Sequence, residues 1–150
     1  MRNQKLLIIV LTTFISCLFH SCLQTDKVIY KYNGIYKTQQ NGKVFSLIND
    51  SVKKITIDTV PVITPVDFKI VRMDYYSVDK SPALFILLTE TGKIKFAELT
   101  RNNIGKPLAL ILEDKLLSAP TIQSEIPNGQ IEAGGLDRKL IEHLVKKFKK

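Results

Sequence analysis

Apolar positions fall into short runs broken by turn signals along most of the chain, and into one helical stripe at its end. Alternation with a period of two marks a half-buried strand, whereas spacings of three and four mark an amphipathic helix. Residues 28–32 stop at Asn33-Gly34, 35–38 at Asn41-Gly42 and 43–48 at Asn49-Asp50-Ser51, with a further β-branched run over 52–57. Asn-Gly between alternating residues is a strong hairpin signal, because both turn positions need positive φ. The segment 28–58 therefore reads as a small antiparallel meander. Pro61 and Pro65 interrupt 59–67, since proline cannot donate to a strand ladder. One helical turn is expected from Thr64, with Pro65 at the first helical position.

Further on, 68–76 is strand-like, 77–82 a loop, and 83–89 a continuous apolar run expected to form a central strand covered on both faces. Helical spacing takes over at 93–101, where Ile94, Phe96, Ala97 and Leu99 can share a stripe that Asn102, Asn103 and Gly105 terminate. A hairpin follows, with strands 108–112 and 116–119 around Glu113-Asp114-Lys115. Pro120 and Pro127 hold an extended loop, and a glycine-rich strand runs to Gly134-Gly135. The last helix is capped by Asp137 and buries Leu140, Ile141, Leu144, Val145 and Phe148, with Glu142 and Lys146 set for an i,i+4 pair. This order predicts an α+β fold, a mostly antiparallel sheet with helices packed on one face.

With 150 residues, 45% of them hydrophobic and 24% charged, the chain is one globular domain and not a disordered one. Its start reads as an export leader. Arg2 and Lys5 precede an apolar run over 6–19, the length of a signal core and short of the ~20 residues a spanning helix needs. Leu18-Phe19-His20-Ser21-Cys22 resembles a bacterial lipoprotein signal, in which a small residue precedes the cysteine that is acylated. The expectation is a signal peptide over 1–21, an acyl chain such as palmitate on Cys22, and a tether over 22–27. An uncleaved membrane anchor, or cleavage by an ordinary signal peptidase, remains the alternative. The lipoprotein reading places the protein in the cell envelope, on a bacterial membrane, facing the periplasm or the exterior.

The net charge of +8 changes meaning in this light. Arg2 and Lys5 belong to the leader, and the last fifteen residues carry six bases against Asp137 and Glu142, leaving the body close to neutral. No nucleic-acid partner is expected, because that needs bases interleaved with aromatics over one face. The cluster Lys146, Lys147, Lys149 and Lys150 instead suits the negative end of the helix dipole, or contact with anionic lipid as a second membrane signal.

Catalytic chemistry is thin. Beyond the leader the one histidine is His143, on the amphipathic helix among lysines and expected to face solvent. Zinc needs three or four Cys or His ligands, and the acids are not spaced as a calcium loop. Glu113-Asp114 reads as turn chemistry, and Gly134-Gly135 lacks the spacing of a phosphate loop. No catalytic residue, metal, cofactor or small-molecule substrate is expected.

One ordered stretch carries a resemblance. Phe96-x-x-Leu99-Thr100, then Asn103-Ile104-Gly105-Lys106, an apolar strand, a tight turn, and Ser118-Ala119-Pro120-Thr121-Ile122 resemble the head subdomain of the large periplasmic domain of SecD, which works with SecF in protein export. The likeness covers 59–150, led in by Pro61-Val62-Ile63-Thr64 and Asp67, and leaves 28–58 outside it. The sequence departs from the family's pattern in the turn, where Glu113-Asp114 replaces Asp-Gly, around Ala133, and at Leu136, where an aromatic residue is expected. The resemblance implies a head that holds polypeptide or docks on an envelope protein complex. Ser118, Ala119, Pro120, Thr121 and Ile122 are its expected contacts, through strand addition. It also implies no motor, since SecD places a base subdomain before the head and proton-coupled membrane helices after it, and this sequence shows neither.

Overall fold

The computed structural model describes residues 31–149. The expected signal peptide, Cys22, the tether, the start of the strand expected at 28–32, and Lys150 lie outside the described residues. Among the described residues, seven strands form two mainly antiparallel sheets, accompanied by two α-helices. The first sheet has the order β2-β1-β5-β6, from β1 (Gly34–Leu47), β2 (Asp50–Ile57), β5 (Leu108–Leu112) and β6 (Lys115–Ser118). The second has the order β3-β4-β7, from β3 (Phe68–Tyr75), β4 (Pro82–Leu88) and β7 (Gln130–Gly134). Helix α1 (Glu90–Arg101) follows β4, and α2 (Arg138–Phe148) closes the chain. The expected α+β class holds, with its antiparallel strands divided between two sheets.

The meander takes a different form. Neither Asn-Gly pair makes a hairpin. Residues 34–47 run as one long strand, kinked where Thr38 and Lys43 both align with Ile57 and the residues between them bulge. The glycines serve close approach instead. A Cβ on Gly34 would run into the Ile63 carbonyl oxygen, and one on Gly42 into that of Ile57. Gly34 also holds φ at +135°, a conformation open to glycine. The kink lets the first half of β1 pair with β5 while its end reaches β6 in parallel at Leu47 and Leu116, so the sheet curls on itself. Strand β1 pairs with β2, β5 and β6, so this sheet joins residues on both sides of position 58.

Strand β4 is central and buried on both faces as expected, and β5 is buried at all five of its positions. Leu108, Leu110 and Leu112 enter a large core with Ile35, Leu84 and Ile86. Ala109 and Ile111 point the other way, into a small core with Tyr36, Ile57 and Leu116 inside the curled sheet. Strand β4 is central in its own sheet and buries Leu84, Ile86 and Leu88 on one face. Its other face buries Ala83 and Phe85, the latter beneath the Arg72 guanidinium 3.9 Å above the ring centre. A charged partner does there what a second apolar layer would do in a core strand.

Helix α1 begins at Glu90, three residues before the expected start. Thr89 caps it by accepting from the Gly92 amide at 3.1 Å, a signal hidden because Thr89 also ends an apolar run. The expected turn at Thr64 forms as a 3-10 turn over Pro65–Asp67. Asp137 caps α2 through the Lys139 and Leu140 amides as expected. Glu142, however, pairs with Arg138 at 2.9 Å, not with Lys146.

Because β5 is covered on both sides, Leu110→Ala and Ile111→Ala should each destabilise the protein by about 3 kcal/mol in chemical denaturation. A loss confined to Leu110→Ala would contradict two-sided burial.

Candidate functional site

The five residues expected to contact polypeptide leave β6 in extended form. Ser118 and Ala119 are half-buried, Pro120 and Thr121 exposed, and Ile122 buried. Their backbone is already engaged along one edge. Leu108 donates to the Pro120 carbonyl at 3.1 Å, Ile122 to that of Lys106 at 3.0 Å, and Gly105 to that of Ile122 at 2.8 Å. Each residue of Asn-x-Gly-Lys and Ser-Ala-Pro-x-Ile thus has a structural task. Strand addition directly onto 120–122 is correspondingly restricted.

Side-chain alternation opens a different opportunity. Ser118, Pro120 and Ile122 face a cavity of about 130 Å³, while Ala119 points into the small core. Ile35, Phe96, Leu108 and Leu110 form its apolar wall, and Ile126, Gln130, Ile131 and Glu132 its far side. Thr100 fixes that far side. Its buried hydroxyl donates to the Phe96 carbonyl at 2.9 Å and accepts from the Ile126 amide at 3.0 Å. The Phe-x-x-Leu-Thr motif therefore supplies a wall residue, a core residue and the clip on the loop. Strand β7 borders the cavity and has β4 as its one strand neighbour. An edge strand presents alternate N–H and C=O groups away from its partner. The sequence named the β6 side of this cavity and missed β7, whose short, glycine-ended run gave no sign of an edge.

A second cluster lies at the β5–β6 turn. Glu113 and Asp114 both hold positive φ, 52° and 59°, the geometry of a two-residue hairpin turn. The Glu113 carboxylate is buried and accepts from His143 Nε2 at 3.0 Å and from Lys147 Nζ at 2.5 Å. His143 is therefore not simply solvent-facing as expected. Its side chain is 55% exposed, yet it hydrogen-bonds a buried acid. Asp114 accepts from the Tyr32 amide at 2.5 Å and the Lys31 amide at 3.3 Å. Asn33 Oδ1 in turn accepts from the Glu113 amide at 2.8 Å. This turn ties α2 and the incoming chain to the hairpin, which is what Glu and Asp offer in place of Asp-Gly.

Burial pushes the Glu113 carboxyl up, but hydrogen bonds from Lys147 and His143, with their charges, outweigh it and hold it below the usual carboxylate range. Asp67 behaves alike, with burial opposed by the Thr64 amide and by Lys95 at 2.9 Å. Lys146, Lys147 and Lys149 are exposed around the end of α2. Among the described residues no three His, Cys, Asp or Glu side chains are grouped to hold a metal, and no helix is long and apolar enough to cross a membrane.

A curled four-stranded sheet, a three-stranded sheet and two helices around a shared core define this chain as an α+β head-type domain. It belongs to the SecDF P1 head subdomain family, whose model matches residues 37–140. The match therefore includes β1 from Lys37 and all of β2. SecD of Sebaldella termitidis is 32% identical over 119 residues, which is 67% of this chain and 29% of that protein. SecD of Aquifex aeolicus is 41% identical over 78 residues, half of this chain and 15% of that one. The chain thus spans under a third of the length of these relatives. A solved structure of SecDF, described as a membrane component that enhances protein export, superposes with a TM-score of 0.62 at 20% identity, covering 79% of this chain and 63% of that one. SecDF in its super-membrane-facing form gives 0.60 at 22%, over 73% and 17%. These two likenesses show the fold.

The lowered carboxyl pKa values set a sign for acid sensitivity. A folded value below the unfolded one means that the unfolded chain takes the proton first. The stability from Glu113 and Asp67 is therefore complete above about pH 5 and is lost as pH falls through their folded values. Glu113→Gln should cost about 2 kcal/mol at pH 7, and its deficit against the unmodified protein should shrink on acidification below about pH 4. Thermal denaturation across this range measures it, and a constant deficit would contradict the assignment.

Proposed function

We propose that this protein is a lipid-anchored envelope protein whose SecD-type head holds extended polypeptide. The observation that carries the reading is the apolar cavity beneath Ser118, Pro120 and Ile122, bordered by the free edge of β7. Strand addition combines those two features, because main-chain hydrogen bonds supply affinity and a pocket accepts alternate side chains. A cavity of about 130 Å³ suits one apolar side chain, not a drug-sized ligand, whose pockets run to ~300–1,000 Å³. Relatives bearing the name protein translocase subunit SecD support a polypeptide as the occupant.

Anchoring rests on the leader. Residues 1–21 act as the signal peptide, Cys22 carries the acyl chain, and 22–27 tether the domain to a bacterial membrane, facing the periplasm or exterior. Of the five expected contacts, Thr121 meets the client from outside, while Ser118, Pro120 and Ile122 shape the cavity and Ala119 serves the core.

A photoreactive residue placed at Thr121 or Gln130 in cells should crosslink to a heterogeneous ladder of polypeptides. The same residue at Val78, on the β3–β4 turn, should give none. One discrete band from Thr121 and Gln130 would replace the general reading with a structural accessory lipoprotein docked on one dedicated partner. No adduct at either site would reject polypeptide binding there.

A further inference from the structure

The end of α2 and the entry of the chain meet at one pole of the domain. Lys147 bonds Glu113, and the adjoining Asp114 receives the amides of Lys31 and Tyr32. The thirty residues that precede Lys31, with their apolar run over 6–19, therefore join the fold beside the lysines of α2. From Cys22 to Lys31 an extended chain reaches about 30 Å, so this pole stays within that distance of any lipid on Cys22.

The pole has the chemistry of a membrane-interface contact. Pro65, Val66, Lys147, Phe148 and Lys149 line one shallow depression. Val66 is 75% exposed at the tip of the 3-10 turn, and Phe148 is half-buried with its ring 6.3 Å from that of Phe68. Lys147 and Lys149 are exposed beside it. A small apolar tip flanked by lysines matches the boundary between acyl chains and anionic headgroups. At the other end of the β3–β4 hairpin, some eight residues or about 26 Å from Val66, lie the β3–β4 turn and its exposed Val78.

We propose that this pole, with Val66 at its tip and Lys147 and Lys149 beside it, rests on the anionic membrane surface to which the chain is anchored. The proposal rests on the lipid-anchor reading above and adds an orientation to it. The cavity side of the head is then turned by a fixed geometry relative to the lipid.

The protein has no tryptophan, so Val66→Trp and Val78→Trp each introduce a single reporter at an exposed position. The full chain carrying either change is reconstituted in phosphatidylglycerol vesicles with brominated acyl chains. Flotation reads the anchor, and fluorescence quenching reads the surface. Val66→Trp should be quenched at least about twofold more than Val78→Trp. Lys149→Gln, or zwitterionic vesicles, should reduce that difference. A protein that floats with both reporters equally quenched, or with Val78→Trp the stronger, overturns the orientation and leaves the anchor standing. A protein that does not float overturns the anchor. The same reporters then test the surface from solution, and unquenched Val66→Trp overturns it as well.

Discussion

Burial of β5 on both faces is the constraint from which the remaining structure follows. Five consecutive apolar residues, Leu108–Leu112, send alternate side chains into two cores. A strand with no polar face must be covered twice. One cover is the second sheet with both helices, and the other is the first sheet's own curl, made possible by the kink in β1. The cavity sits on the first of these faces, between Leu108, Leu110 and the loop that follows β6. The cavity is thus walled by the most buried strand on one side and bordered by Pro120 and β7 on the other.

The same strand places the charged turn. Leaving β5, the chain holds both Glu113 and Asp114 in the left-handed region, at a cost of roughly 1–2 kcal/mol for each residue with a Cβ. The cost is offset locally. Glu113 receives His143 and Lys147 from α2, and Asp114 receives two amides of the incoming chain. Hydrogen bonds to a charged group contribute roughly 1.5–3 kcal/mol each, so the net effect favours the strained turn. A glycine at 114 would relax the backbone there and remove the carboxylate that receives the Lys31 and Tyr32 amides.

Much of this was legible in the residue pattern. The final helix and its Asp137 cap, the β5–β6 hairpin, the turn at Thr64 and the family likeness all follow from spacing and motif. What escaped did so for physical reasons. Asn33-Gly34 and Asn41-Gly42 carry the composition of hairpin turns, but their glycines clear the carbonyls of Ile63 and Ile57. An apolar run cannot say whether its second face meets apolar side chains or a guanidinium, and β4 meets Arg72 at Phe85. The cavity joins Ile35 to Ile131, residues nearly a hundred positions apart, so no local signal could assemble it. His143 looked solvated because its partner, Glu113, lies in a turn thirty residues away.

The central claim is that extended polypeptide adds to β7 and places an apolar side chain in the neighbouring cavity. Amide hydrogen exchange of the protein, with and without an unfolded client chain, tests it most directly. The account predicts slowed exchange at those β7 amides, within 130–134, that point away from β4, together with 118–122, and no change at the β3–β4 turn. Unchanged exchange at β7 in the presence of bound client would contradict it.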